Sequence, residues 1–355
     1  MTMLDRQTDR QTDRQTDRQT DTYVYSIGRL TQDSQYCGVD IIKFICALLV
    51  VIIHVPICKN ETVNYYTQNF VCRIAVPYYF VSAGFFLFKK LDLNCLEKAR
   101  IKNYCFKILR LLGTWTAILL WGNNYQLWFL GSLVVAVLII YFCVSKKIPL
   151  LVLSIISICL YIIGLLGDSY YGLMKPIEKI QSHVLFEYLS NDFFHSTRNG
   201  IFMGIVFVLI GVLFTYKRIV IKKWLAMAFL LASITGLFFE VFFLRQYDLS
   251  RDNNMYLFLL PTVFFLFYLS KSITLNKSFF YKRLRIIGMM VFYTHMLVYH
   301  IVTTYGELVI NKTLGISNSQ SAIFILTLSL TIIIAITIER LSLTNRFSVL
   351  KYLYS

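Results

Sequence analysis

Ten apolar runs, each about as long as a membrane-crossing helix, limit what this chain can fold into. With 57% of its residues hydrophobic and only 15% charged, the chain has more apolar surface than a soluble protein of 355 residues can bury. The sequence therefore predicts an all-α polytopic membrane protein of about ten transmembrane helices. The runs lie near 39–57, 74–88, 108–121, 127–145, 148–166, 200–216, 224–243, 255–270, 286–304 and 321–338.

The basic residues between the runs alternate in number along the chain. The connections after the even-numbered runs, with the segment after the tenth, hold 21 Lys and Arg, whereas the other connections hold eight. Cytoplasmic loops of membrane proteins carry an excess of these residues, so both termini are predicted to be cytoplasmic. The net charge of +16 is thus mostly a topology signal, and the lipid bilayer rather than nucleic acid is the expected partner.

The amino-terminal segment is the least hydrophobic part of the chain. Residues 1–38 are predicted to be a disordered cytoplasmic tail, 39–341 the transmembrane domain and 342–355 a short cytoplasmic tail. Four copies of Asp-Arg-Gln-Thr fill residues 5–20, and a tandem GACA tetranucleotide encodes them. Slippage by one four-base unit shifts the reading frame, which leads to the hypothesis of phase-variable expression. A low-complexity tail with a regulatory or binding role is the alternative.

The first span carries ionisable residues, which are costly in a membrane and point to function. Lys43 and His54 are eleven residues apart, so they share one helix face at a separation of about 16 Å. This distance is close to the length of the pantetheine arm of coenzyme A. The hypothesis is that Lys43, with Asp40 beside it, meets the phosphates of acyl-coenzyme A while His54 takes a proton from a hydroxyl. Helix-end snorkelling of Lys43 and a structural hydrogen bond of His54 are the alternatives.

Further polar residues converge near the outer level of His54 when the topology is applied. Glu240 is a candidate to orient the imidazole, although an ion pair with Arg245 explains it equally well. The other residues predicted at this level, as contacts of the acceptor or the thioester, are Arg73, Arg198 and Asn199.

Other candidates lie elsewhere in the spans and their flanks. His295, in the middle of the ninth run, is predicted either to contact the acceptor or to pack in the core. Lys107 and Arg110 are suited to phosphate by charge and spacing, so they are predicted to bind acyl-CoA together with Asp40 and Lys43. The alternative is that they simply flank the third span. Cys58 and Cys72 flank the first outer loop and are candidates for a disulfide. The cysteines have no metal-ligand spacing, so no metal site is expected.

Several segments together resemble the bacterial integral-membrane acyltransferase family 3. The likeness covers about residues 38–340, with Lys at positions 43 and 107 where the family more often has Arg. The segment Ser196-Thr197-Arg198-Asn199-Gly200 also resembles the membrane domain attached to some serine racemases. The segments similar to the acyltransferase family are Asp40 to Phe44 leading to His54, Arg73 to Phe85, Lys107 to Arg110, Leu127 to Leu130, and Tyr293 to His295.

The resemblance implies an O-acyltransferase of a bacterial inner membrane, most often an O-acetyltransferase. The donor would be cytosolic acyl-CoA such as acetyl-CoA, used as a substrate rather than a bound cofactor, and the acceptor a surface glycan or its lipid-linked precursor. His54 would be the essential catalytic residue and Glu240 its partner. A transporter or flippase of a glycan intermediate is the main alternative, and a membrane sensing or scaffold module is a third.

Overall fold

A computed structural model describes residues 36–89, 91, 97–119, 125–174, 196–276, 278–306 and 320–354. The predicted tail over 1–38 lies almost entirely outside these residues. Most of the longest predicted outer connection, at 175–195, lies outside them as well.

Ten long helices in the described part of the chain correspond one to one with the ten apolar runs. The fold is therefore that of an all-α polytopic membrane protein, as the sequence predicts. The helices are α1 (Cys37–His54), α2 (Glu61–Phe88), α3 (Lys98–Ile118), α4 (Trp128–Ser145), α5 (Leu150–Leu166), α6 (Gly200–Tyr216), α7 (Lys223–Gln246), α8 (Leu259–Lys271), α9 (Phe279–Ile301) and α10 (Gln320–Ser342).

The helices differ in how well they suit a membrane span. Six of them, α1, α2, α4, α7, α9 and α10, are long and apolar enough to cross a bilayer. Helices α5, α6 and α8 are apolar but shorter, at 10–17 residues. Helix α3 belongs to neither group, because five basic residues lie along its 21 residues. These are Lys98, Arg100, Lys102, Lys107 and Arg110.

Helices α2 and α6 pack so closely that their backbones touch. A Cβ atom placed on Gly84 would collide with the backbone of Val208, and one placed on Gly211 would collide with the backbone oxygen of Val81. Small residues allow this approach in membranes, where helices gain little from hydrophobic burial. The glycine pattern at 200, 204 and 211 therefore serves helix packing, as the sequence predicts.

Helix α1 lies among α2, α8 and α9, and it joins the two ends of the molecule. At the end predicted to be cytoplasmic, Arg285 of α9 forms a bidentate ion pair with Asp40 of α1, at 2.7 and 2.8 Å. Arg283 forms a similar pair with Glu339 of α10, at 2.9 Å. We call this the inner end and the end that holds His54 the outer end.

Three short π-helical turns lie at the outer end of the described chain, at Thr67–Val71 in α2, at Gly200–Gly204 in α6 and at Val302–Gly306 after α9, and the first two lie beside arginines. Such turns insert one extra residue into a helix and are frequent at functional sites. Arg73 follows the first turn, and Arg198 precedes the second by two residues. The local irregularity of both helices therefore lies beside the two arginines of the outer end.

Candidate binding site

A small cleft of about 40 Å³ lies at the outer end and opens toward a polar vestibule of about 380 Å³. Arg73, Arg198 and Asn254 line both spaces, so they lie at the junction between them. The vestibule is otherwise lined by Ser196 and residues 251–253, which are polar or charged. The cleft has mostly apolar walls, and His54, Gln126 and Trp128 are the further lining residues whose side chains carry nitrogen or oxygen atoms.

Two arginines converge on one amide oxygen at this junction. Arg73 and Arg198 each donate a hydrogen bond to Oδ1 of Asn254, at 2.9 and 3.0 Å. Arg73 also donates to Asn69, and Arg198 stacks over the Trp128 ring at 4.7 Å. Within the described part of the chain neither guanidinium forms an ion pair with a carboxylate, and Nε of Arg73 is buried without a hydrogen-bond partner. The junction therefore holds two positive charges that a bound anion would compensate.

Asp168 holds the segment that carries Asn254. Its carboxylate accepts hydrogen bonds from the backbone N–H groups of Asn254 and Met255, from the Asn254 amide and from the Ser169 hydroxyl, at 2.8–3.1 Å. Asp168 lies in the connection after α5, where burial raises its pKa to about 6, partly offset by these hydrogen bonds. Asp168 thus fixes the amide whose oxygen orients both arginines.

His54 and His295 lie next to each other behind the cleft. Their ring centroids are 5.4 Å apart, and His295 is completely buried. Nδ1 of His295 lies 2.8 Å from the backbone oxygen of Phe292, so Nδ1 carries the proton, whereas Nε2 has no partner in the described residues. The structure thus brings together the two histidines that the sequence places in different spans, and of the two His54 lines the cleft.

Glu240 does not contact His54, in contrast to the predicted role of orienting the imidazole. Its carboxylate accepts hydrogen bonds from the Tyr170 hydroxyl and from the backbone N–H groups of Leu257 and Phe258, at 2.6–2.9 Å. These two N–H groups precede α8, where helix donors lack partners of their own. Glu240 therefore anchors the start of α8. The alternative ion pair is not formed either, because Arg245 stacks on Tyr65 at 4.3 Å.

Asn199 is likewise occupied by a structural role. Its side-chain oxygen accepts hydrogen bonds from the backbone N–H groups of Ile201 and Phe202, and its amide donates to the oxygen of Ser196. This is the geometry of an N-cap residue. Asn199 thus caps α6 and does not line the cleft, in contrast to the prediction that it contacts a ligand.

A larger cavity of about 660 Å³ lies at the inner end. Lys43 and Lys107 line it, as expected for two residues predicted to act together at this end. Asp40 instead pairs with Arg285, and Arg110 stacks over Tyr352 at 5.1 Å outside the lining. The cavity therefore brings together two of the four residues predicted to bind one ligand, whereas Asp40 and Arg110 are not among its lining residues. The cationic lining is Lys43, Arg100, Lys107, Lys282 and Arg285.

The cysteines and the remaining titratable groups form no further site in the described part of the chain. Cys58 and Cys72 are free thiols, in contrast to the disulfide considered for them. Among the described residues, no group of three or more His, Cys, Asp and Glu side chains is placed to hold a metal ion.

Three residues of the outer site are not among the candidates that the sequence suggests for it. Asn254 and Gln126 are uncharged, and each occurs beside an apolar run where a polar residue is ordinary. Asp168 stands out in the sequence only as one of several ionisable residues in an outer connection. Their position in the predicted topology could have indicated them, because all three residues precede or follow spans at the end of the molecule where His54 lies.

Comparison with known proteins identifies amino-acid racemases as relatives. The chain is 29% identical over 266 residues to an amino-acid racemase of Enterococcus faecalis, a match that covers 67% of this chain and 36% of the relative. It is 30% identical over 271 residues to a serine/alanine racemase of Enterococcus gallinarum, covering 65% and 36%. The chain thus spans about a third of the length of the curated relatives it matches. No family model matches the chain, and no solved structure matches it.

These relatives contradict the function predicted from the acyltransferase resemblance. They are named as racemases, which are isomerases, so the O-acyltransferase activity and its enzyme class are wrong. The acyl-CoA donor and glycan acceptor belong to that reaction and stay predictions from the sequence. The similarity of residues 196–200 to the membrane domain of serine racemases is instead consistent with the relatives.

Proposed function

We propose that this chain is a membrane-embedded module that binds a small α-amino acid at its outer end. The observation that carries the proposal is the pair Arg73 and Arg198, which share the oxygen of Asn254 and have no carboxylate partner in the described residues. Two guanidinium groups provide several N–H donors in a fixed planar geometry, which suits a carboxylate. The ligand carboxylate would lie at the junction of cleft and vestibule.

The position of the arginines strengthens the argument for a ligand. Basic residues at the inner end follow from the general charge bias of membrane proteins, whereas those at the outer end run against it. Arg198 is also largely buried, and burial lowers its pKa without removing its charge at neutral pH. Asp168 and Asp252 attract this charge, but among the described residues neither carboxylate is in ion-pair contact with Arg198. A ligand carboxylate in direct contact would compensate the charge more fully.

The vestibule and the cleft also contain groups that match the ammonium group and the side chain of a small amino acid. Asp252 lines the vestibule and pairs with Arg251 at 3.5 Å, and because nearly half of its side chain is exposed, its carboxylate can also meet an ammonium group. The cleft of about 40 Å³ has room for a few atoms only, since one water needs about 10–15 Å³ of such space. A side chain as small as that of alanine or serine suits it, in agreement with the serine/alanine racemase among the relatives.

Binding rather than racemisation is the function that this geometry supports. Inverting a stereocentre requires proton removal on one face of Cα and proton delivery on the other. His54 and His295 lie side by side, with their ring centroids 5.4 Å apart, and do not flank a common space. We therefore use the names of the longer relatives only as a guide to the ligand, a small amino acid, and not to the reaction.

We infer a bacterial cytoplasmic membrane as the location, with the inner end facing the cytoplasm. The relatives come from bacteria of the genus Enterococcus, and the alternation of basic residues supports the orientation.

Equilibrium binding of radiolabelled L-serine and L-alanine to the purified chain in lipid nanodiscs tests the proposal. We expect saturable binding that Arg198→Gln weakens by about tenfold or more, because a charge-assisted contact is lost. Arg245→Gln is the matched control, since Arg245 lies at the same end but stacks on Tyr65 outside the cleft. Equal binding by all three proteins, or none by the unmodified protein, would falsify the proposal.

A further inference from the structure

Gln126 is a buried amide whose polar atoms have no hydrogen-bond partner among the residues that the structure describes. It lies in the short turn Tyr125–Leu127 before α4, its side chain is 2% exposed, and neither Nε2 nor Oε1 is bonded within those residues. Leaving one such group unpaired destabilises the fold, and here two groups are unpaired in the same side chain. An amide retained in this state points to a ligand that bonds both atoms.

The side chain of Gln126 lies in the wall of the outer cleft. It shares that wall with His54 and with Arg73 and Arg198, which hold the carboxylate in the proposed function. The remaining walls are mostly apolar, including Val50, Val76 and Phe292, and the indole N–H of Trp128 adds a donor but no acceptor. A ligand side chain that enters the cleft from the junction therefore meets the amide as one of very few polar groups.

We propose that Gln126 selects a hydroxyl-bearing side chain, so that the site prefers serine to alanine. This inference rests on the proposed function and names its ligand more closely. Nε2–H can donate to the serine oxygen while Oε1 accepts from the serine O–H, which satisfies both orphaned atoms. A methyl group satisfies neither of them, and a site built to bond a hydroxyl discriminates against ligands that lack it.

His54, which also lines the cleft, supports the same selection. An imidazole beside the cleft provides one donor or one acceptor according to its tautomer, so it can complete the hydrogen bonds of a hydroxyl. The amide of Gln126, however, makes no hydrogen bond to any of the residues that the structure describes. Its replacement should therefore change discrimination between ligands more than it changes the fold.

A comparison of two ligands of equal shape tests the inference on the unmodified protein. L-serine and L-2-aminobutyrate differ by a hydroxyl in place of a methyl group, and both have the same backbone for Arg73 and Arg198. We expect serine to bind about tenfold more tightly or better, measured by competition in nanodiscs. Equal affinities overturn the role of Gln126 while leaving the amino-acid site intact. No binding of serine, alanine or 2-aminobutyrate overturns both proposals.

A variant pair adds a test at the residue itself. Gln126→Leu removes both polar atoms at similar volume, and we expect it to weaken serine binding about tenfold while alanine binding stays unchanged or improves. Retained alanine binding shows that the variant has kept its fold. Gln246→Leu, at an exposed position at the outer end of α7, is the control and should leave both affinities unchanged. Unchanged serine preference in Gln126→Leu overturns the inference.

Discussion

The two ends of the molecule hold their positive charges in different ways. The inner cavity of about 660 Å³ is lined by five basic residues, two of which pair with carboxylates, Arg285 with Asp40 and Arg100 with Glu97. The outer site has two arginines at the mouth of a cleft of about 40 Å³, and these share one neutral oxygen.

The contrast shows that the position of basic residues relative to the membrane indicates a binding site better than their number does. Basic residues at the inner end are expected of any membrane protein of this topology, so they carry little functional information. At the outer end fewer basic residues occur, and two of them meet around Asn254 with other polar atoms unsatisfied nearby. The outer end, although it has fewer basic residues, thus gives the stronger indication of a binding site.

Loss of both outer arginines should have the largest effect. Arg73→Gln and Arg198→Gln are each expected to weaken L-serine binding about 30-fold and together about 100-fold, since both contact one carboxylate and such pairs are not additive. A double-mutant cycle with binding measured in nanodiscs checks this. Effects that multiply to about 1,000-fold would mean that the two arginines act on separate groups.

Asp168 should make stability depend on pH. Its pKa is about 6 in the folded protein against an ordinary value of 3.8, so between these values the folded state binds more protons than the unfolded state. Stability should therefore rise as pH falls from 7 through 6 and level off near 4, by up to about 3 kcal/mol. Thermal midpoints in detergent, taken as the difference between wild type and Asp168→Asn, measure this contribution. A difference that is flat from about pH 4 to 7 would contradict it.

Glu240→Gln separates the structural carboxylate of the outer end from the binding site. One oxygen becomes an NH₂ group, which leaves Tyr170, Leu257 or Phe258 without an acceptor and costs about 1–3 kcal/mol of stability. The thermal midpoint should fall, whereas the affinity for L-serine should stay the same. A large loss of affinity for L-serine at unchanged thermal stability would mean that Glu240 contributes to ligand binding.

The inner cavity should contribute least to amino-acid binding. Lys107→Gln and Lys282→Gln are expected to change the affinity for L-serine by less than about twofold, because charges at this distance are largely screened. The same nanodisc binding assay applies. If either variant weakens binding as much as Arg198→Gln, the division between the two ends is wrong.

The sequence predicts the fold better than it predicts the site. The apolar runs indicate all ten helices, because a membrane span must be long and apolar whatever its neighbours are. Arg73, Arg198 and His54 could be placed at one level from topology alone. Glu240 and Asn199 could not be excluded, since helix capping by a side chain depends on which chain end lies beside it. Gln126 could not be found, because only the folded structure shows that its amide is buried with no partner among the described residues.

The backbone contact between α2 and α6 also limits how far the walls of the site can move. Gly84 and Gly211 bring these helices so close that neither can slide or rotate past the other without a collision. Gly200 brings α6 almost as close to the backbone oxygen of Ser132 in α4. Arg73 belongs to α2, Arg198 lies just before α6 and Gln126 precedes α4, so these three side chains keep their relative positions when a ligand enters.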